Sequence, residues 1–196
     1  MSEPQTLRAL AELPLVPAQL AQSTLIMIDC QNTYTRGPME LVGVQAALDQ
    51  AAELLDRARS AGIPILHIQH DDGEGGLYDV RGESGAIVER VAPREGEQVV
   101  IKNYPNAFVG TDLQERLTGG PQNLLLAGFM THMCVNSTAR GAFNLGYAPT
   151  VVASATATRS LPGIGGDVSA EALHTASLAG IADLFAVVAP TVADVP

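Results

Sequence analysis

Three side chains in this sequence, Asp29, Lys102 and Cys134, are the types that covalent hydrolysis calls for: a proton acceptor, a cation and a sulfur nucleophile. Asp29 closes the apolar run "STLIMID", Lys102 closes "EQVVIK", and Cys134 follows "NLLLAG" by one helical turn, in "FMTHMCV". The free N–H groups and dipole of a helix's first turn favour a thiolate over a thiol, and a nearby ammonium adds to that effect. If the strand-to-helix turn aims the N–H groups of Met130 and Cys134 at one point, they form an oxyanion hole. Losing one such donor costs about 3 kcal/mol of transition-state stabilisation. Each residue also has an ordinary use. A free cysteine is among the most often buried residue types, an aspartate caps turns, and a lysine at a strand end is commonly solvated. Cys30 alternates with Asp29 along its strand and is expected to face the other way, into the core.

These residues act together only if the chain brings the strand ends to one edge. Apolar runs alternate with helical patterns: strands are expected at residues 23–29, 63–69, 97–102, 123–128, 148–154 and 182–188. A helix over residues 39–62 places Leu41, Val44, Leu48, Ala51, Leu55 and Ala58 on one face and stops at Gly62. "TDLQERL" offers Thr111 and Gln114 as a capping box for a short helix, and further helices are expected at roughly residues 131–145 and 169–179. Nearly continuous apolar strands separated by helices describe a parallel sheet covered on both faces, a three-layer doubly wound (Rossmann-like) α/β fold. In such sheets ligands sit beyond the carboxyl ends of the strands, where strand order reverses. Residues 70–96 are long and irregular enough to wall a pocket there.

The remaining features narrow the class. At 196 residues the chain suits one domain. Residues 1–22, with several prolines and no sustained period, are expected as an arm over the domain (residues 23–196) or onto a neighbouring subunit. Two cysteines make no disulfide framework, and with no recognisable leader a reducing cytoplasm is expected. No apolar run is long enough for a membrane span. The 11 basic residues against 21 acidic, a net charge of −10, with no basic block, argue against nucleic acid. A small-molecule substrate and a homo-oligomer, dimer or larger, are the expected partners.

The segments "LIMIDCQN", "IKNYPNAFVGTDL" and "GFMTHMCVNSTARGAFNLGY", continued by "SATATRSLPG", resemble the signature segments of the isochorismatase-like cysteine hydrolases. The resemblance spans roughly residues 23–188. It implies a six-stranded parallel sheet, an Asp, Lys, Cys triad at Asp29, Lys102 and Cys134, and a cis peptide between Phe129 and Met130. Metal-dependent members hold their ion through an Asp-x-His pair and further histidines. Here no histidine lies between Asp29 and His67, and His70 stands with only Asp71 and Asp72 beside it, so neither metal nor cofactor is expected.

Retention of the cysteine favours acyl chemistry, and the segments are most similar to the metal-free amidohydrolase branch, one member of which opens a lactam. The expected activity is hydrolysis of a C–N bond (amide, lactam or ureido) through a thioester. The alternatives are vinyl-ether hydrolysis and a non-catalytic redox-active thiol. Gln31, Tyr104, Phe108, Thr131 and His132 are the candidate substrate contacts. The negative balance of the chain favours an uncharged or cationic substrate unless Arg81 or Arg159 lines the pocket.

Overall fold

The computed structural model describes residues 4–196. Six strands, β1 (Ser23–Ile28), β2 (Ile65–His70), β3 (Gln98–Lys102), β4 (Asn123–Phe129), β5 (Ala148–Ala157) and β6 (Val187–Ala189), form one sheet in the order β3-β2-β1-β4-β5-β6. Every neighbouring pair is parallel. The chain starts in the middle, winds to one edge, returns, and winds to the other, so strand order reverses between β1 and β4. Their carboxyl ends border the crevice that this topology creates.

The central strands are apolar throughout because both of their faces are covered. Leu25 and Met27 of β1 and Leu125 and Ala127 of β4 pack in one core with Leu48, Leu54 and Leu55 of α2 (Val44–Ala61). Ile26, Ile28, Leu124 and Leu126 point the opposite way, against Val135, Ala139 of α4 (Asn136–Asn144) and Ile181 of α5 (Ala170–Ala182). The period of two divides each run between two cores. Leu48, Leu54 and Leu55 are fully buried, and truncating one to alanine would cost about 2–5 kcal/mol.

The boundaries differ from the sequence reading for local reasons. The long helix begins at Val44 rather than near residue 39, because Gly37–Met39 form a 3-10 turn and Gly43 adopts a left-handed conformation (φ 73°). It stops where expected, with Gly62 left-handed (φ 65°) beyond Ala61. The capping box at Thr111 is absent: the short helix α3 (Leu113–Arg116) has Asp112 as its N-cap with no side-chain cap bond. Thr111 Oγ1 instead donates to the Ala107 carbonyl at 2.6 Å. The sixth strand is short because α5 runs to Ala182, and residues 182–186 turn off the helix with the N–H groups of Phe185 and Ala186 bonded to the Ile181 carbonyl. β5 runs on to Ala157, with a register shift opposite Leu126 and Gly128 of β4.

The segment before β1 lies against the domain. A short helix, α1 (Leu7–Leu10), is tied down by the Arg8 N–H on the Asp183 carbonyl (2.7 Å), and the Leu20 N–H bonds the Pro196 carbonyl (2.7 Å). Among the described residues no helix is long and apolar enough to cross a membrane.

Candidate active site

β1 ends abruptly. After Ile28 the backbone turns into the left-handed region at Asp29 (φ 47°), a conformation that is strained for a residue with a side chain. Gly128 of β4 runs beside this turn at φ 114°, and a Cβ there would lie 1.9 Å from the Ile28 carbonyl oxygen, so only glycine fits. β4 then passes through a cis Phe129–Met130 peptide into a π-helical turn, Thr131–Val135, in which the Val135 N–H reaches the Met130 carbonyl at 3.2 Å. Cys134 sits in this turn.

On the other side of β1, the parallel register pairs His70 of β2 with Lys102 of β3, so both side chains leave the same face at the same height. The segment following Lys102 is held to α4 by close packing: a Cβ on Gly141 would fall 2.4 Å from the Asn106 side chain.

These four side chains meet around the Lys102 ammonium, which belongs to the only lysine in the chain. Its Nζ lies 2.7 Å from Asp29 Oδ2, 2.9 Å from His70 Nδ1 and 3.4 Å from Cys134 Sγ. Asp29 and Lys102 are fully buried and Cys134 is 4% exposed. The Asp29 contact is an ion pair without hydrogen-bond alignment, and among the described residues neither carboxylate oxygen has an aligned donor. A buried carboxylate short of donors is costly, and it is disposed to take up a proton.

Burial pushes the Asp29 carboxyl above the ordinary aspartate range, with the Lys102 charge opposing the shift. Burial, reinforced by the charge of Asp29 and opposed by that of Lys102, pushes the Cys134 thiol up to about 12. The lowering of the thiol pKa expected from the helix end and Lys102 is therefore outweighed: desolvation exceeds the effect of the cation and holds Cys134 in the thiol form that gives its proton to Asp29. Burial and the adjacent ammonium hold His70 below the usual histidine value, and accepting from Lys102 requires its Nδ1 to be unprotonated.

Asp29, His70 and Cys134 also form a possible metal-ligand set, their donor atoms lying within 4.8 Å of one another. The Lys102 ammonium already contacts all three. A divalent ion would have to enter beside, or displace, a buried cation, and the donor set does not suit one.

The irregular residues 70–96 cover this cluster. Tyr78 meets the His70 ring edge-on (4.9 Å) and the buried Tyr34 (5.6 Å), which in turn packs against Phe129 (5.8 Å). Gln31 fastens the loop from below. Its side-chain amide donates to the His70 and Gly85 carbonyls (2.9 and 2.7 Å) and accepts from the His70 N–H (3.0 Å). That amide is fully engaged with backbone, so Gln31 shapes the site and leaves no amide group for substrate.

Of the other candidate contacts, Tyr104 is exposed, and Phe108 stacks on Tyr147 at 5.8 Å against the second core. Thr131 is buried, with Oγ1 3.0 Å from His174 Nδ1, and the half-buried His132 places Nδ1 2.5 Å from Thr158 Oγ1. Cys30 is buried in the core that includes Tyr34 and Met27, away from the cluster that holds Cys134. Arg81 is spent on Asp79 (2.6 Å) and Asp71 (3.4 Å). Tyr34 was not expected at the site, and His70 and Tyr78 only as part of the segment expected to wall it, not as neighbours of Lys102 and of one another. Their signals were the position of His70 at the end of the second strand and of Tyr34 five residues beyond Asp29.

Comparison with known proteins places this arrangement in a family. Residues 23–192 match the Isochorismatase domain model. The chain is 34% identical over 180 residues to the secreted isochorismatase effector Isc1 of Verticillium dahliae, covering 91% of this chain and 93% of that one. It is 31% identical over 139 residues to the streptothricin hydrolase of Streptomyces noursei, covering 70% of this chain and 50% of that one. The crystal structure of an isochorismatase from Pseudomonas putida KT2440 superposes with a TM-score of 0.94 at 40% identity, covering 98% of this chain and all of that one. A parallel sheet in 3-2-1-4-5-6 order, with an aspartate, a lysine and a cysteine converging at its switch point, is here carried by a chain that belongs to the isochorismatase family of hydrolases.

Proposed function

We propose that the protein is a cysteine hydrolase that cleaves a C–N bond of a small amide, lactam or ureido compound through a thioester. The observation that carries this reading is the Lys102 ammonium bridging Asp29 (2.7 Å) and Cys134 (3.4 Å) in a buried crevice. The resemblance to streptothricin hydrolase supports the bond type.

The resting pair is a thiol and a carboxylate. As the substrate carbonyl approaches Sγ, Asp29 accepts the thiol proton, and a raised carboxyl pKa makes that transfer less uphill than to an ordinary aspartate. Lys102 stays beside both groups, so the negative charge moves from carboxylate to sulfur without leaving the cation. Sulfur attacks the carbonyl carbon, and the charge passes to the carbonyl oxygen, which the Met130 and Cys134 N–H groups stabilise. The protonated Asp29 then gives its proton to the departing nitrogen, and the amine leaves. Water, deprotonated by Asp29, attacks the thioester, and the proton returns to Cys134 as the acid leaves. No step needs a metal ion.

A panel of amides, lactams and ureido compounds tests the proposal, with acid quenching and intact-mass measurement to capture an acyl group on Cys134. Turnover by wild type, none by Cys134→Ala, and an adduct of substrate-acyl mass are the expected results. Near-wild-type turnover by Cys134→Ala would refute the covalent route.

One second reading has support of its own. A vinyl-ether hydrolase needs a carboxylic acid to protonate carbon, and Asp29 has its pKa raised in that direction. The relative from Verticillium dahliae carries isochorismatase in its name. On this reading Cys134→Ala keeps vinyl-ether cleavage while Asp29→Asn loses it.

A further inference from the structure

Lys102 has a buried counterpart at the other end of the sheet. Arg8 of α1 is 6% exposed. Its Nε donates to the Pro14 carbonyl (2.7 Å) and its Nη1 to the Leu184 carbonyl (2.8 Å), so the guanidinium ties the segment before β1 to the turn that follows α5. Both acceptors are neutral. Among the described residues no carboxylate pairs with Arg8 and Nη2 has no partner, in a chain that carries 21 acidic residues. Burial draws the Arg8 pKa down, and among the described residues no neighbouring charge opposes the shift. Taking a cation out of water is costly, and buried charges are ordinarily paired.

Arg8 forms part of the wall of a cavity of about 610 Å³. One side of the cavity is the chain from Leu13 to Gln19, and the other is built where the strands begin: Asn123, Ala148 and Val187, the first residues of β4, β5 and β6, all line it. The cavity therefore sits at the amino edge of the sheet, roughly 20 Å along β4 from the crevice that holds Cys134. Leu13, Phe143, Tyr147, Pro149 and Val187 give it a mainly apolar surface. Sites for small molecules have volumes of roughly 300–1,000 Å³, with apolar walls and a few polar groups that fix the orientation of the ligand. An apolar chamber with one uncompensated cation in its wall is complementary to a molecule with an apolar body and one negative end.

We propose that this cavity is a second binding site, distinct from the catalytic crevice, for a small apolar monocarboxylate whose carboxylate pairs with Arg8 and whose hydrocarbon body lies against Leu13, Phe143, Tyr147 and Val187. A guanidinium holds a carboxylate through charge-assisted hydrogen bonds, and Nη2 supplies donors that the backbone has not taken. The net charge of −10 opposes a ligand with several negative charges, so a single carboxylate is favoured. The bound molecule provides the missing counter-charge and fills the space beneath the segment before β1, so it stabilises the folded chain by mass action. Cys134 takes no part, and the site stands independently of the hydrolase reading.

Octanoate and 1-octanol, which share a hydrocarbon chain and differ in charge, test the proposal by isothermal titration calorimetry on the full-length protein. Octanoate is expected to bind at one site per chain, at least roughly tenfold tighter than octanol, the effect of one charge-assisted contact. Arg8→Gln should bring octanoate down to the affinity of octanol. Because Arg8 also ties the chain together, a second variant leaves it in place: Ala148→Phe, at an exposed position in the cavity wall, takes up the space and should weaken both ligands roughly tenfold. Octanoate bound no more tightly than octanol by wild type overturns the proposal, as does octanoate affinity undiminished in Ala148→Phe, whether or not Arg8→Gln folds. Light scattering should show the same mass with and without octanoate. Dissociation of an assembly in step with octanoate binding would make a second copy's chain the occupant and overturn the proposal. None of these outcomes bears on turnover at Cys134, so the hydrolase reading is tested separately.

Discussion

His70 and Lys102 stand side by side on neighbouring strands, and the histidine Nδ1 accepts from the lysine ammonium at 2.9 Å. That contact exists only while the ring is neutral. The groups facing it are Lys102 and Asp29, with Asp71, Asp72 and Tyr78 from the covering loop. Because the folded histidine lies below its ordinary value near 6.5, it resists protonation, and the contact is intact at neutral pH. As pH falls below the unfolded value, the unfolded chain binds the proton more readily and the stability share of this contact fades; the contact itself breaks once pH drops through the lower value of the folded ring. Activity should therefore have an acid limb that lies below the ordinary histidine range. His70→Gln keeps an acceptor that cannot titrate and should move the acid limb lower, towards the limb set by Asp29. A limb unmoved in His70→Gln would assign it to Asp29 alone.

The Asp29 and Lys102 pair gives a stability prediction separate from catalysis. Lys102→Met leaves a fully buried carboxylate without its cation and should destabilise the fold by about 3–5 kcal/mol at neutral pH. Adding Asp29→Asn removes the stranded charge and should restore much of that loss, although the double variant has no activity. Urea unfolding of the two single variants and the double variant measures the coupling. Additive losses would mean that the pair is not energetically linked.

Cys134 and Cys30 are both buried and both raised by burial, but only Cys134 has a cation at hydrogen-bond distance. Brief iodoacetamide treatment should modify Cys134 first, with a rate that climbs through the alkaline range, and turnover should disappear with it. Exhaustive EDTA treatment should leave turnover intact, since the ammonium contacts the donors that an ion would need. Modification at Cys30 first, or loss of activity on chelation, would contradict the site as described.

Far from the crevice, Glu97 joins Arg59 of α2 (2.7 Å) to His67 of β2 (2.9 Å). Although burial opposes it, hydrogen bonds from Arg59, Arg94 and His67 bring this carboxyl down to about 2. A depressed carboxyl contributes stability above its unfolded pKa near 4.3, and that contribution fades as pH falls towards about 2. Glu97→Gln should lower the melting temperature at pH ~7 and make little difference at pH ~2. A deficit of the same size at both pH values would assign the loss to packing.

Leu10, Leu15 and Val16 project from the segment before β1, each more than half exposed. We expect them to be covered by a second copy in a symmetric dimer or larger assembly. Light scattering should give at least twice the 20.4 kDa chain mass, and Leu15→Asp with Val16→Asp should shift the population towards monomer. A monomer at micromolar concentration would exclude the assembly.

The strands and their order of use were legible because a parallel sheet buried on both faces writes itself as unbroken apolar runs. Asp29, Lys102 and Cys134 stood out because polar residues end those runs. His70 was legible as a residue but not as a neighbour of Lys102, since their pairing depends on β2 and β3 lying in register, a relation between residues 32 positions apart. That burial outweighs the cation at Cys134 was not legible for a similar reason. The helix terminus could be read locally, whereas 4% exposure and the nearby Asp29 charge come from three separate strands converging. Gln31 was expected as a substrate contact. Its amide is instead engaged by backbone groups of residues 70 and 85. Thr111 and Gln114 had the spacing of a capping box, but the hydroxyl found the Ala107 carbonyl behind it.

The single lysine of the chain is sealed beneath Tyr78 and the loop that carries it. Lysine-directed reagents therefore have one ε-amine to find, and they reach it only in molecules whose crevice has opened. The rate at which a small amine-reactive ester or reductive methylation marks Lys102 is then a clock for that opening, read in the unmodified sequence without an engineered probe. A bound substrate analogue should slow the clock in proportion to its occupancy.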